Sequence, residues 1–200
     1  NPPVVVDHTA DLDRAARGIV MGASLDNNII CVDEKEVFAV EAIFDDLMQR
    51  VEGLGCVQLR NHQITRLEKL ILQADREHTR REWVGKDAGK MLREIDVPFK
   101  GDPRLIVCEV PFDHPFVQTE LLMPVLPFVR VPDVHEAIDL AVEAEHGYGH
   151  TASMYSRDLD ALHRMARRFD GSIFVKNASH VAGLGFGGEG YTSFTIASPT

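Results

Sequence analysis

Two hundred residues, 44% hydrophobic and 26% charged, describe an ordinary globular chain with enough material for one core. A formal net charge of −10, with no basic cluster beyond one helix end, excludes a phosphate-backbone binder. No apolar run nears the roughly 20 residues that span a bilayer, and three scattered cysteines point to a reducing, cytoplasmic compartment rather than a disulfide scaffold.

Strand-like and helix-like segments alternate along the chain. Val4–Val6 reads as a short apolar strand. Leu12, Ala15, Ala16, Ile19, Val20 and Ala23 then recur at helical spacing, so a helix is predicted from about Asp11 to Ser24. Asp11 and Asp13 suit the positive end of its dipole. Val37–Val40 is a strand, and Ile43, Leu47, Met48 and Val51 mark a second helix stopped by Gly53. Val57–Leu59 is a strand, and Ile64, Leu67, Ile71 and Ala74 mark a third helix with Asn61 as its cap. The polar stretch Asp75–Trp83 reads as an exposed loop or frayed helix end, and Asp87–Ile95 as a short helix.

Leu105–Val110 and Val125–Val131 have the composition of central strands. Asp133 with Glu136 opens a further helix, ended by Gly147. Thr151–Tyr155 is a strand. Leu159, Leu162, Ala166 and Phe169 carry another helix, with three arginines near its negative end and Gly171 just past it, and Ser172–Val175 is a strand. This rhythm predicts an α/β fold: three layers, a mainly parallel sheet with helices on both faces. The chain begins without Met and stops at Ser198-Pro199-Thr200 with no finishing helix, ends that read as those of a segment of a longer polypeptide.

Cys31 is the candidate nucleophile. It follows directly on the end of the first amphipathic helix, where a thiol can meet a substrate, whereas Cys56 and Cys108 read as small apolar fillers. Its neighbours Asp33 and Glu34 disfavour a thiolate, so a compensating positive element must come from the fold or a cofactor. Glu120 precedes a run with almost no polar group, and its carboxylate needs a bonding partner, either a backbone group or a ligand's hydroxyls.

Other motifs are weaker. Gly183-Leu184-Gly185-Phe186-Gly187-Gly188 matches G-x-G-x-x-G, but Tyr191–Ile196 after it has strand character, and a dinucleotide fingerprint must open a helix. A loop lining a site or an interface fits better. The nine histidines show no metal-ligand spacing, and no metal is expected. His114 and His150 sit at loop-like positions, where a surface role competes with a site role.

Asp26-Asn27-Asn28-Ile29-Ile30-Cys31-Val32-Asp33-Glu34-Lys35-Glu36-Val37 resembles the nucleophile segment of the CoA-acylating aldehyde dehydrogenases, most of all the propionaldehyde dehydrogenases of propanediol-utilising bacterial microcompartments. Asn1–Asp7, Glu120–Val125, Ser172–Asn177 and Gly185–Gly190 resemble, in order, the entering strand, the Glu-x-Phe-Gly-Pro-Val segment, a late strand and a Gly-rich loop of that family. The resemblance implies an aldehyde dehydrogenase catalytic domain, with the Rossmann-type cofactor domain and the C-terminal oligomerisation strand lying outside residues 1–200.

It further implies that Cys31 attacks a short aldehyde, such as propionaldehyde. Hydride passes to NAD and the acyl group to coenzyme A. The Cys31 N–H would form half of an oxyanion hole. Glu120 takes a ribose-hydroxyl role and Leu122 stands at the nicotinamide, in place of the family's Phe, while Met123 replaces its Gly. The implied partners are aldehyde and coenzyme A, a homo-oligomer and a microcompartment shell, with neither nucleic acid nor membrane; the implied location is the cytoplasm or a microcompartment lumen. As an isolated segment the chain is expected to be inactive. A hydrolytic relative, a non-catalytic assembly domain and a Cys/His hydrolase using His114 or His150 are the competing readings.

Overall fold

The computed structural model describes residues 1–188. Seven strands form one sheet: β1 (Pro3–Val6), β2 (Glu36–Val40), β3 (Val57–Leu59), β4 (Ile106–Glu109), β5 (Val125–Val131), β6 (Thr151–Tyr155) and β7 (Ile173–Lys176). Their order is β3-β4-β5-β2-β1-β6-β7, and every pairing is parallel. Parallel strands require crossovers, and helices supply them: α1 (Leu12–Ala23), α2 (Glu41–Gly53), α3 (His62–Ile71), α4 (Ala88–Glu94), α5 (Pro115–Gln118), α6 (Val134–Ala144) and α7 (Leu159–Phe169).

The two sheet faces bury different side chains because a strand alternates its residues. Val4, Val6, Val37 and Ala39 meet Ala15, Ile19, Phe44 and Leu47 of α1 and α2. Val5, Phe38 and Val40 meet the other layer, with Leu67, Met91, Phe116, Ile138 and Met165 from α3 to α7. All residues of β1 and β2 are buried, as expected of strands covered on both sides. The predicted three-layer architecture is therefore the observed one.

Local chemistry explains most boundaries. Asp11, Asp133 and Asp158 each accept backbone N–H bonds at the start of α1, α6 and α7. Asn61 departs from expectation: it holds the cap position of α3, but its backbone lies at φ 48 and its side chain makes no capping bond. α6 ends at Ala144, three residues before Gly147, because Glu145 turns to bind the Gly149 and His150 N–H groups. Asp75–Trp83 is a tight reversal, with Leu72 bridged to Thr79, that closes on a 3-10 turn at Arg81–Trp83 and buries Trp83. Two short elements carry too few residues to show a period: α5 and a 3-10 turn at His180–Leu184. The latter runs into the first two residues of the Gly-rich match and is capped by Gly185, so Gly183 and Gly185 end a turn instead of opening a long helix. The expected strand at Tyr191–Ile196 lies outside the described residues.

Candidate active site

The segments carrying Cys31, Glu120 and His150 precede β2, β5 and β6, so all three lie at the amino edge of the parallel sheet. Adjacent strands lie about 4.8 Å apart, and β5 is the direct neighbour of β2, which brings the Glu120 and Cys31 loops side by side. The carboxyl edge, where open α/β sheets usually bind ligands, is closed here between β1 and β6. Asp7 is fully buried there and accepts bonds from Thr9 and Ser156 hydroxyls at 2.7 Å. Burial raises the Asp7 carboxyl, but the Thr9 and Ser156 bonds outweigh it and hold the group below the usual range.

Cys31 sits on a strained loop. After α1, Asp26, Asn27 and Asn28 all take positive φ (45, 55 and 63), a run that Asp and Asn tolerate better than other side chains. Three consecutive left-handed residues cost free energy, and the surroundings must fix them. Asn27 donates to the Gly85 carbonyl at 3.1 Å and to Asp87 at 2.9 Å. The Gly85 N–H in turn donates to the Leu122 carbonyl at 2.9 Å. Gly85 has φ +67 and no room for a Cβ, which would overlap Ile29. One chain of bonds thus ties the Cys31 loop to Leu122, itself at φ 55.

Inside the loop, Asn28 is buried and donates to the Ala23 and Glu34 carbonyls, both at 2.9 Å. The Lys35 ammonium, 3% exposed, donates to the Asn28 carbonyl, the Asn28 side-chain oxygen and the Ile30 carbonyl at 2.7, 2.8 and 3.1 Å. It also lies 3.9 Å from Glu120, whose side chain is 42% exposed. Burial lowers the Lys35 ammonium, and Glu120, Asp33, Glu36 and Cys31 draw it back up in that order. Lys35 thus brings a cationic group into the loop that carries Cys31.

Asp33-Glu34-Lys35-Glu36 carries four consecutive ionisable side chains, and all four residues are buried. Burial pushes the Asp33 carboxyl up, the Glu34 carboxyl up to about 7 and the Glu36 carboxyl up to about 8. Their negative charge near Cys31 is thus much smaller than the sequence suggests. His180 packs against the same loop: its N–H donates to Glu34 at 3.0 Å, its Nδ1 contacts the Val32 carbonyl at 2.9 Å, and burial draws it down to about 4.

These groups set a pH dependence of stability. Glu34 and Glu36 keep protons in the fold that the unfolded chain sheds near 4.5. Their contribution is complete below that value and lost as pH rises through about 7 and 8. His180 acts oppositely: its contribution is complete above 6.5 and lost on acidification toward about 4. Between pH 6 and pH 8 the carboxyls dominate. Stability should fall by roughly 1–2 kcal/mol per carboxyl over that interval. Thermal unfolding of the chain checks this, and equal or greater stability at pH 8 contradicts it.

The three thiols separate by environment. Cys31 is exposed, while Cys56 and Cys108 are buried and pushed by burial up to about 12. His114 is not a surface loop residue. It caps α5 through its Nδ1, 3.1 Å from the Phe116 N–H, and lies 3.6 Å from Glu68. His150 is half-buried before β6, 3.0 Å from the Thr151 hydroxyl, and Glu120 is among the charges acting on it. Asn27-Asn28 stand near where hydrolytic relatives carry a Gly-Gln pair, whereas Lys35, Gly85 and His180 carry no motif in the sequence. Only a charged run adjoining a β-rich strand hinted at Lys35.

Comparison with known proteins places the chain in a family. The aldehyde dehydrogenase family pattern matches residues 57–197, a span beginning after Cys31. Acetylating acetaldehyde dehydrogenase of Salmonella typhimurium is 51% identical over the whole chain, which covers 44% of that protein. A Rhodopseudomonas palustris propionaldehyde dehydrogenase, solved with bound CoA and an acylated cysteine, superposes at TM-score 0.94 with 46% identity, covering 100% of this chain and 45% of that one. A propionaldehyde dehydrogenase from the Clostridium phytofermentans fucose utilisation microcompartment gives TM-score 0.94 and 40% identity, covering 100% and 46%. The chain therefore spans a little under half the length of these relatives. With a family match over more than half its residues and a relative 51% identical along its whole length, the chain belongs to the aldehyde dehydrogenase family.

Proposed function

We propose that this chain is the nucleophile-bearing catalytic domain of a CoA-acylating aldehyde dehydrogenase acting on a two- or three-carbon aldehyde. The observation that carries the reading is an exposed thiol, Cys31, on a fixed loop whose Ile30 carbonyl accepts from a buried ammonium, itself 3.9 Å from the exposed Glu120 carboxylate. Relatives named for acetaldehyde and propionaldehyde support the substrate class.

Cys31 Sγ bonds to the aldehyde carbonyl carbon, and the carbonyl oxygen takes the electron pair. The Cys31 N–H, which meets no acceptor among the described residues, receives that oxyanion. When bound, NAD supplies the hydride acceptor that turns the Cys31 adduct into a thioester. The coenzyme A thiolate then attacks the thioester carbon, and Cys31 sulfur leaves. Glu120 fits the ribose role because its carboxylate is accessible and, among the described residues, has Lys35 at 3.9 Å as its one ion-pair partner. Leu122, half-buried on the loop tied to Gly85, would face the nicotinamide in this reading.

In this reading the cofactor-binding domain and the oligomerisation strand lie outside residues 1–200, and residues 1–200 alone should yield no NADH. The microcompartment origin of one neighbour supports a microcompartment setting for the assembled homo-oligomer. The test is product partition. The enzyme completed with its cofactor domain, given aldehyde, NAD and coenzyme A, should form acyl-CoA and NADH in equal amounts. Free acid formed at the same rate with or without coenzyme A would overturn the reading in favour of hydrolysis.

A further inference from the structure

Lys35 has three N–H groups, and all three are engaged by neutral oxygens of its own loop: the Asn28 carbonyl, the Asn28 side chain and the Ile30 carbonyl. The last is the decisive one. The Ile30 carbonyl also accepts the Asp33 N–H at 3.0 Å, so it is pinned from two sides, facing the ammonium. A trans peptide points its C=O and N–H in opposite directions. With the Ile30 carbonyl turned inward, the Cys31 N–H faces out of the loop. An ammonium bonded to that carbonyl also polarises the peptide and strengthens its N–H as a donor.

The charge is not cancelled at once. Asp33, Glu34 and Glu36 lie nearby but are buried, and burial favours their neutral forms. His180, bonded to Glu34 and to the Val32 carbonyl, is held neutral by burial. Glu120, on the adjacent loop, is the one exposed carboxylate that forms an ion pair with Lys35 among the described residues. Lys35 itself continues directly into β2 and is fixed there, its N–H donating to the Pro2 carbonyl at 3.1 Å.

We propose that Lys35 is a positioning residue for the Cys31 chemistry, orienting the Ile30–Cys31 peptide so that its N–H can meet an oxyanion and setting a positive charge within the loop that carries the thiol. Its effect on thiol reactivity stands by itself, whereas its effect on turnover rests on the dehydrogenase reading.

The test uses the enzyme completed with its cofactor domain and two substitutions, Lys35→Met and Glu120→Gln. Cys31 alkylation by iodoacetamide, followed by mass spectrometry across pH 6 to 10 without cofactor, reads the charge. Lys35→Met, which removes the charge from the loop that carries Cys31, should slow the reaction at pH 7. Glu120→Gln, at an exposed side chain, should speed it at pH 7 by relieving the ammonium of its partner. In turnover, Lys35→Met should lower kcat by at least about tenfold, as misplacing an oxyanion donor does, with KM for aldehyde and NAD nearly constant.

Wild-type alkylation profiles in both variants overturn the inference. Should Lys35→Met fail to fold, an unchanged profile in Glu120→Gln overturns it alone. Normal alkylation shifts in an enzyme that makes no acyl-CoA would leave Lys35 in place and remove the dehydrogenase reading instead.

Discussion

Cys31→Ser should reduce acyl-CoA formation by the completed enzyme by at least about a thousandfold, because a hydroxyl needs an adjacent base where a thiol supplies its own thiolate. His114 cannot be that base, since it caps α5 and faces Glu68. The substitution falls on an exposed side chain, so stability should change by no more than about 0.5 kcal/mol. Cys108→Ser gives the opposite pattern. It places a hydroxyl in a fully buried strand position and should cost about 1–3 kcal/mol while leaving turnover per folded molecule intact. Steady-state acyl-CoA assays and denaturant unfolding of both variants check the pair. Comparable loss of turnover in the two would mean that Cys31 does no chemistry of its own.

Gly22→Ala should destabilise the chain by about 2–3 kcal/mol, although alanine is the better helix former by about 1 kcal/mol. Gly22 lies in the last turn of α1, and an added Cβ would overlap the Glu34 carboxyl and the Ser179 hydroxyl. Neither can step aside freely: Glu34 is fully buried and bonded to the His180 N–H, and Ser179 is buried beside it. Gly53, also near a helix end, has nothing within 4 Å of the point where an added methyl would stand, so Gly53→Ala should stabilise by up to about 1 kcal/mol. Urea unfolding of the two variants compares packing against propensity directly. A Gly22→Ala chain as stable as the parent would show that the Glu34 pocket is loose.

The fold was legible because its signals are periodic. The apolar stripe of α1 and the β-rich runs of β2, β4 and β5 each bury a face that the sequence spells out. Cys31 was legible for a related reason, since the stripe stops at Ala23 and leaves the thiol past a helix end. Lys35 was hidden because a run of four charged residues looks solvated, and only the close packing of α1, β2 and the His180 turn reverses that. Gly85 and Asn27 meet across 58 residues of sequence, a contact that no local pattern encodes. The edge of the sheet used by the site was equally invisible until the strand order was known.

The completed enzyme, incubated with propionaldehyde and NAD but no coenzyme A and then digested for mass spectrometry, decides whether Cys31 carries the acyl group. A propionyl mass on the Cys31 peptide, discharged when coenzyme A is added, is the expected result. An unmodified Cys31 in an enzyme that still turns propionaldehyde into propionyl-CoA would contradict it.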